Sequence, residues 1–202
     1  MIVRWLGRVP YEEALALQTG ILDRKIAAPD APDELLLLEH DAVYTMGRTP
    51  DLTSLRDETQ LPHPVVRINR GGQATYHGPG QLLGYPILDL RRRGQDLHRY
   101  LRAIEDALIA LCADFEVVAQ RRDALTGVWV GERKIASIGV GVKRWVSMHG
   151  FALNVCGDLA PFTHITPCGI AGVEMTSLER ERGRAVSVEE AAQRAGERLA
   201  GL

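Results

Sequence analysis

Residues 70–81 read RGGQATYHGPGQ and contain four glycines and one proline. This composition does not favour a regular helix or strand, because each glycine raises the entropy cost of ordering the backbone. Glycine at this density indicates a main chain that turns tightly or lies close against another group. Such a run can be a long surface turn. Here strand-like sequences flank it, PVVRI at residues 64–68 and LLGYPIL at residues 82–88, which places it well to line a pocket.

The N-terminal part of the chain predicts two or three strands and one helix. Residues 1–7 favour a short strand, and Pro10 followed by two glutamates favours the start of a helix. Apolar spacing of three and four gives this helix an inward face. The run ELLLLE at residues 34–39 is too short for an ordinary helix and predicts a buried strand. A further strand is expected over 43–48, and a surface loop over 49–63.

The C-terminal part predicts a second helix, a β meander and a last helix. Leucine and isoleucine spacing over 97–113 marks an amphipathic helix with Asp96 as its N-cap. Residues 115–159 read as FEVVA, GVWV, KIASIGVGV, WVSMHG and FALNV, with a hairpin turn at 131–132. Ser187 and Glu190 form a capping-box pattern before a helix that ends near Leu199. The sequence predicts a single α+β domain over residues 1–202, with a mixed or antiparallel sheet and flanking helices.

The composition argues against several classes of protein. A formal net charge of −2 gives no overall attraction to nucleic acid or to an anionic membrane. There is no signal-peptide pattern and no apolar run of the ~18 residues that a membrane span needs. Three cysteines without a CxxC pair favour a reducing compartment, so a cytoplasmic protein is expected. No two histidines have the spacing of metal ligands on one element, and the basic run at 91–93 fits either a solvated turn or a docking patch for an acidic protein.

Cys168 is the cysteine with the strongest case for reactivity. It lies between Pro167 and Gly169 in an irregular segment, whereas Cys112 and Cys156 have the apolar neighbours of structural cysteines. On position alone, a reactive and a structural role for Cys168 remain equally open. A free thiol has a pKa of about 8.5, so catalysis would need a nearby base or cation.

Lys134 and His77 are candidate partners for such a thiol. Lys134 begins the apolar segment KIASI, where an inward side chain would be desolvated and could act as a base. The residue pattern alone still favours an exposed strand-edge lysine, because lysine is mostly exposed. His77 lies inside the glycine-rich segment and is the best placed of the histidines, although a histidine that only satisfies hydrogen bonds is common. The phosphate-binding pattern GxxxxGK[ST] is absent.

Four segments together resemble the octanoyl (lipoyl) transferases, a family with the biotin/lipoate protein ligase fold. They are residues 70–81, GERKIASIGV at 131–140, WVSMHGFALNV at 145–155, and ITPCG at 165–169 with TSL at 176–178. The resemblance extends from about Leu35 to Leu178 and keeps the family's order of motifs. One departure is Met148, where the family pattern has an aromatic residue before the histidine.

The resemblance implies an acyltransferase without a cofactor. It would take an octanoyl group from octanoyl-acyl carrier protein onto a cysteine and pass it to a lysine of a lipoyl domain, the first step of endogenous protein lipoylation. Acceptors would be lipoyl domains of 2-oxoacid dehydrogenase E2 subunits and the glycine cleavage H protein. Carried onto this chain, Cys168 bears the acyl thioester and Lys134 tunes it. The substrate-lining residues would be Arg70, Gly71, Gly72, Gln73, Ala74, Thr75, Tyr76, His77, Ser137, Ile138, Gly139, Gly150, Phe151 and Ala152.

Three other functions fit parts of this pattern. An ATP-dependent lipoate or biotin protein ligase on the same fold would activate a free acid and would need no cysteine. A non-catalytic binder of lipoyl domains or carrier proteins would not need Cys168 and Lys134 together. A cysteine hydrolase would admit water to the thioester.

The expected mechanism of acyl transfer has backbone N–H groups near the Cys168–Gly169 turn holding the oxyanion.

Overall fold

The computed structural model describes residues 1–49 and 52–202. The strands are β1 Ile2–Arg8, β2 Glu34–Glu39, β3 Val43–Met46, β4 Val65–Arg67, β5 Ala74–His77, β6 Gln81–Ile87, β7 Gln120–Arg122, β8 Leu125–Val130, β9 Arg133–Lys143 and β10 Val146–Asn154. The α-helices are α1 Tyr11–Ala27, α2 Leu97–Asp114, α3 Leu178–Arg182 and α4 Val188–Leu199. None of the helices in these described ranges is long and apolar enough to cross a bilayer.

The strands form two sheets. Seven of them lie in the order β1-β2-β6-β10-β9-β8-β7, and β4-β3-β5 form a smaller sheet. The β1–β2 and β3–β4 pairs are parallel, and the other pairs are antiparallel. The expected α+β fold with a mixed sheet is therefore confirmed, and the mixture is divided over two sheets.

The large sheet is covered on both faces, which explains the uninterrupted leucine run of β2. Leu35 and Leu37 belong to the core under α2 and α4, whereas Leu36 and Leu38 belong to the core under α1. Successive side chains of a strand point to opposite faces, so a strand buried on both faces has no polar alternation. Both faces of β2 therefore contribute to the hydrophobic core.

The helix boundaries follow the capping residues. The Asp96 carboxylate accepts a hydrogen bond from the Arg99 N–H at 2.9 Å, and α2 begins at the next residue after Asp96. Ser187 Oγ accepts from the Glu190 N–H at 3.1 Å at the start of α4. Both interactions satisfy N–H groups that have no partner within the first helical turn. The predicted starts of α2 and α4 are confirmed.

Several sequence-based boundaries were wrong. Residues 70–81 are not continuous irregular chain, because the β-branched and aromatic residues between the glycines form β5. The segment FEVVA is not a strand: Phe115 and Val117 pack into the core after α2, Val118 is 87 % exposed, and β7 begins only at Gln120. WVSMHG and FALNV form one strand, β10, rather than two.

Two surface segments also differ in detail from the expectation. The predicted loop over 49–63 contains short 3-10 helices at Leu52–Leu55 and Glu58–Gln60, while residues 50 and 51 lie outside the described residues. The basic run at 91–93 is tied to the protein by ion pairs, and this favours a structural role over a docking patch. The pairs are Arg91–Asp89 at 2.7 Å, Arg92–Asp30 at 2.7 Å and Arg93–Asp33 at 2.9 Å.

Gly84 lets β6 and β10 approach closely at the centre of the large sheet. A Cβ atom at this position would lie 2.1 Å from Cε1 of Phe151. We expect Gly84→Ala to lower the free energy of unfolding by about 1–3 kcal/mol, because the Phe151 ring must move within a packed core. Urea denaturation would measure the change. Gly20→Ala is the matched control: its Cβ meets no atom within 4 Å, so the helix should gain about 0.5–1 kcal/mol.

Candidate functional site

A cavity of about 410 Å³ lies where the two sheets meet, and it collects the residues of the four sequence motifs. Its walls come from β5, β6, β9 and β10, with α1, the start of α2 and the turn at Cys168 closing the sides. Apolar side chains such as Leu83, Ile138 and Phe151 alternate along these walls with a few polar groups. A mostly apolar concavity with few convergent polar groups is the usual form of a small-ligand site.

Arg70 brings a fixed charge to this cavity. Its side chain lines the cavity although the residue is only 7 % exposed. Nη1 donates to the Gly71 carbonyl at 2.9 Å, and Nη2 donates to the carbonyl and Oγ1 of Thr45 at 3.0 and 2.9 Å. Burial lowers the pKa of Arg70, and its interactions with the ionisable groups of Cys168 and Tyr11 oppose this shift. These hydrogen bonds hold the guanidinium in one position.

Cys168 lies on a short turn, Pro167–Gly169, at the edge of the cavity. Its backbone has φ 55° and ψ 20°, a left-handed conformation that residues other than glycine seldom adopt. The partly buried Sγ donates to Ser137 Oγ at 3.7 Å. Strain of this kind occurs preferentially at functional sites. Cys168 and its partner Ser137 both line the cavity, so the turn places the thiol at the cavity wall.

Two amides of this turn donate within the turn itself. The Gly169 N–H donates to the Thr166 carbonyl at 3.0 Å, and the Ile170 N–H donates to the Pro167 carbonyl at 3.1 Å. Both donors are used to close the turn. The expectation that backbone N–H groups near this turn hold the oxyanion stays a prediction, because neither of these bonds involves the Cys168 N–H.

Lys134 is buried, contrary to the exposed lysine that the residue pattern favours. It is 1 % exposed, lines the same cavity as Cys168, and donates from Nζ to the Thr126 carbonyl at 3.0 Å. Nζ also lies 5.2 Å from the centre of the Trp129 ring. The backbone of Lys134 pairs with Glu174 and Thr176, which ties β9 to the chain that follows Cys168. The segment 174–176 pairs with the backbone of Lys134, whereas its side chain packs against β8 at Thr126 and Gly127.

The histidines of the cavity are neutral at pH 7. Burial, followed by the charge of His40, holds the pKa of His77 well below its ordinary value. Burial and the charge of Arg70 lower the pKa of His149 to about 4. His77 Nε2 lies 3.3 Å from Thr45 Oγ1, so it shares a hydrogen-bonding group with Arg70. His77 therefore belongs to the polar support of Arg70 and does not carry a positive charge.

Most of the predicted site residues line the cavity together. Ala74 and Tyr76 do not: alternation along β5 turns them away, into a separate apolar cluster with Tyr44 and Phe162. Gln73 lies instead against Gly169, where a Cβ atom would be 2.0 Å from Gln73 Oε1. The predicted residues that line the cavity are Arg70, Gly71, Gly72, Thr75, His77, Lys134, Ser137, Ile138, Gly139, Gly150, Phe151, Ala152 and Cys168.

The sequence reasoning missed several wall residues that come from α1 and β6. Leu83 and Tyr85 lie two apart on β6, and Tyr11 begins α1. The Tyr85 hydroxyl lies 2.7 Å from His40 Nε2, and burial raises the pKa of Tyr11 to about 12. Leu83 and Tyr85 are two residues apart, so they share one face of β6. This spacing could have identified both residues if that face had been known to line the cavity. Nothing in the sequence near Tyr11 pointed to the site.

The depressed pKa of His149 predicts a pH-dependent stability. Between pH 6.5 and about 4 the unfolded chain binds a proton at His149 that the folded chain does not, so stability falls as pH falls through this range. We expect a loss of up to about 3 kcal/mol from this residue. Urea denaturation at several pH values should show a smaller loss for His149→Asn. Exposed His98 gives the control, since His98→Asn should leave the slope unchanged.

The comparison with known proteins agrees with this geometry. The family model described as the lipoyl protein ligase A/B catalytic domain matches residues 10–200. An octanoyltransferase of Geobacter sulfurreducens is 55 % identical over 197 residues, which cover 98 % of this chain and 82 % of that relative. Octanoyltransferases are acyltransferases.

Solved structures show the same fold at low sequence identity. A lipoate-protein ligase A bound with ATP matches 99 % of this chain and 86 % of its own, with a TM-score of 0.72 and 18 % identity. The bipartite lipoate protein ligase described with its E2 lipoyl domain from Thermoplasma acidophilum has a TM-score of 0.70 at 18 % identity, over 98 % of this chain and 83 % of that one. The chain belongs to the lipoyl protein ligase A/B catalytic domain family and, within it, to the octanoyltransferases.

Proposed function

We propose that the protein transfers an octanoyl group from octanoyl-acyl carrier protein to a lysine of lipoyl domains through a thioester on Cys168. The observation that carries this proposal is the arrangement of one cavity: a thiol on a strained turn and a buried lysine open into the same apolar space. A nucleophile, a group able to move a proton and a binding surface for an apolar chain are the parts that acyl transfer needs. Residues 1–202 would act as one catalytic domain.

In the first half of the reaction, Lys134 accepts the Cys168 thiol proton as Sγ attacks the thioester carbonyl. A bond forms between Sγ and the carbonyl carbon, and the bond from that carbon to the pantetheine sulfur breaks. The proton on Lys134 then passes to the leaving thiolate. The thioester on the donor is exchanged for a thioester on the enzyme, so no external energy source is needed.

In the second half, the amine of the acceptor lysine attacks the acyl-enzyme. Lys134 accepts a proton from this amine as an amide bond forms and the bond to Cys168 Sγ breaks. The proton then returns to Sγ, which restores the starting thiol. Because an amide is more stable than a thioester, this half drives the transfer, and no cofactor takes part.

The cavity walls explain how an eight-carbon chain would be held. Leu83, Ile138, Val140 and Phe151 line the space next to Cys168. Each buried methylene contributes about 0.8 kcal/mol, so the chain would contribute several kcal/mol to binding. The same walls would keep water from the thioester, which separates a transferase from a hydrolase.

The proposed acceptors are lipoyl domains of 2-oxoacid dehydrogenase E2 subunits and the glycine cleavage H protein. A structural neighbour, the archaeal ligase, is described together with an E2 lipoyl domain, which supports lipoyl domains as acceptors for this fold. We place the protein in the cytoplasm, because Cys112, Cys156 and Cys168 are all free thiols.

Intact-mass measurement tests this function. We expect mixing with octanoyl-acyl carrier protein to add one octanoyl group to the protein, and apo lipoyl domain to remove that group and become octanoylated. Adduct formation without transfer to the lipoyl domain would contradict the proposed acceptor. Rapid release of free octanoate instead of transfer would identify a hydrolase.

The ATP-dependent ligase is the second candidate, because a structural neighbour binds ATP on the same fold. It is tested in the same experiment by replacing the donor with free octanoate and ATP. Octanoylation of the lipoyl domain under those conditions, with no adduct from the carrier protein, would favour the ligase. We expect no product from free octanoate and ATP.

A further inference from the structure

We propose that Arg70 is a second cation of the acyl-transfer site, whose guanidinium stabilises the negative charge that develops on Cys168 Sγ and on the carbonyl oxygen of the bound acyl group. The part that concerns the carbonyl oxygen rests on the function proposed above. The part that concerns the thiolate does not, because it follows from the positions of the two side chains.

The two groups lie over neighbouring positions on one face of β9. Cys168 Sγ contacts Ser137 Oγ at 3.7 Å. The Arg70 side chain lies over Gly139, where a Cβ atom would be 3.0 Å from Arg70 Cδ and 3.5 Å from Nη1. Residues two apart on a strand point to the same face and are separated by about 7 Å. Arg70 and Cys168 therefore face the same small volume of the cavity.

The segment that carries Arg70 also contacts the turn that carries Cys168. Gln73 lies directly against Gly169, as the 2.0 Å separation between Gln73 Oε1 and a Cβ atom at Gly169 shows. The absence of a side chain at Gly169 allows this approach. The guanidinium and the thiol are thus placed relative to each other by two contacts, through β9 and through Gln73.

The guanidinium is fixed and keeps hydrogen-bonding capacity. Its bonds to Gly71 and Thr45 account for three of the five N–H groups of the guanidinium. A charge held in a water-poor site stabilises a developing anion more strongly than the same charge in water. The interaction with Cys168 raises the pKa of Arg70, which agrees with the two groups lying close together.

Arg70 would supply a permanent positive charge beside the reacting atoms. The Gly169 and Ile170 amides are used within the turn, so these two donors do not face an oxyanion. Lys134 must accept and release a proton in each half of the reaction, so its charge comes and goes. Arginine stays protonated throughout, and its charge is therefore present at every stage.

The other titratable groups that face this volume do not replace Arg70. His77 and His149 are neutral at pH 7, and the tyrosine hydroxyls are neutral as well, because burial raises the pKa of Tyr11 to about 12 and that of Tyr85 well above its ordinary value. Arg48 lies at the cavity wall but is exposed, so solvent screens its charge. The titratable groups that line this volume come from six different parts of the fold: Lys134 on β9, His149 on β10, His77 on β5, Tyr85 on β6, Tyr11 on α1 and Arg48 after β3.

The pH dependence of Cys168 alkylation tests the proposal without any acyl donor, so its result is independent of the acyl-transfer function. Iodoacetamide labelling in a Cys156→Ser background would be followed by intact mass. We expect Arg70→Gln to raise the pH of half-maximal labelling by about one unit and to slow labelling at pH 7 about tenfold. Arg70→Lys should restore most of the rate, and Arg67→Gln, at an exposed arginine of β4, should leave it unchanged.

An unchanged labelling profile in folded Arg70→Gln would overturn the proposal. A second measurement keeps the test decisive if that variant does not fold. In Lys134→Met the Arg70 charge remains, so half-maximal labelling should occur at least half a pH unit below that of the same chain unfolded in urea. A midpoint equal to or above that of the unfolded chain would equally overturn the proposal.

Discussion

Replacing Cys168 by alanine should abolish the acyl-enzyme adduct and lower the rate of octanoyl transfer by at least about 10³-fold. The thiol is the group that would hold the acyl chain between donor and acceptor, and no other thiol lines the described part of the cavity. The loss should appear in the rate and not in stability, because the side chain is partly exposed and its replacement relieves little packing. Transfer to apo lipoyl domain, followed by mass, measures the effect.

Cys156→Ala provides the matched control for this variant. Cys156 is also free and partly exposed, but it follows β10 and lies outside the cavity. We expect this variant to form the adduct and to transfer the octanoyl group at the wild-type rate. Full transfer activity in Cys168→Ala, or an adduct that maps to Cys156, would show that the reaction does not pass through Cys168.

The sequence predicts elements whose causes are local. The start of α2 follows from Asp96 and the apolar spacing after it, and β2 follows from an apolar run too short for a helix. FEVVA failed because its strand propensity competes with the end of a packed helix: Phe115 and Val117 are drawn into the core beneath α2. Tertiary burial overrides local propensity at that point.

In the candidate site, too, features with a local cause could be predicted from the sequence, and features set by tertiary contacts could not. The Pro167–Gly169 turn marks Cys168 as accessible, and this local signal agrees with the structure. The Lys134 side chain is buried against Thr126 and Trp129 of the neighbouring strand β8, and this tertiary packing is not contained in any local pattern. The role proposed for Lys134 came from the resemblance to the octanoyltransferases. Tyr76 points away from the cavity because side chains alternate along β5, a strand that the glycine-rich composition concealed.

Lys134→Met should lower the rate of octanoyl transfer by about 10²–10⁴-fold, the usual contribution of a positioned acid–base group. Methionine is similar in length to lysine and can still pack against the Trp129 ring, which lies 5.2 Å from Nζ, but it cannot carry a proton. The change also removes the donor to the Thr126 carbonyl, so we expect a loss of about 1–3 kcal/mol of stability besides the loss of rate. Single-turnover formation of the acyl-enzyme, with denaturation measured in parallel, separates the two effects.

Lys134→Arg distinguishes proton transfer from charge alone. Arginine retains the positive charge but does not release its proton, so we expect this variant to remain as slow as Lys134→Met. A Cβ atom at Gly127 would lie 2.8 Å from Lys134 Cε, and this tight fit adds a steric obstacle to the guanidinium. The matched control is Lys143→Met on the same strand, where the lysine is exposed and pairs with Asp23 at 3.0 Å. Wild-type rates in both Lys134 variants would show that another group moves the proton.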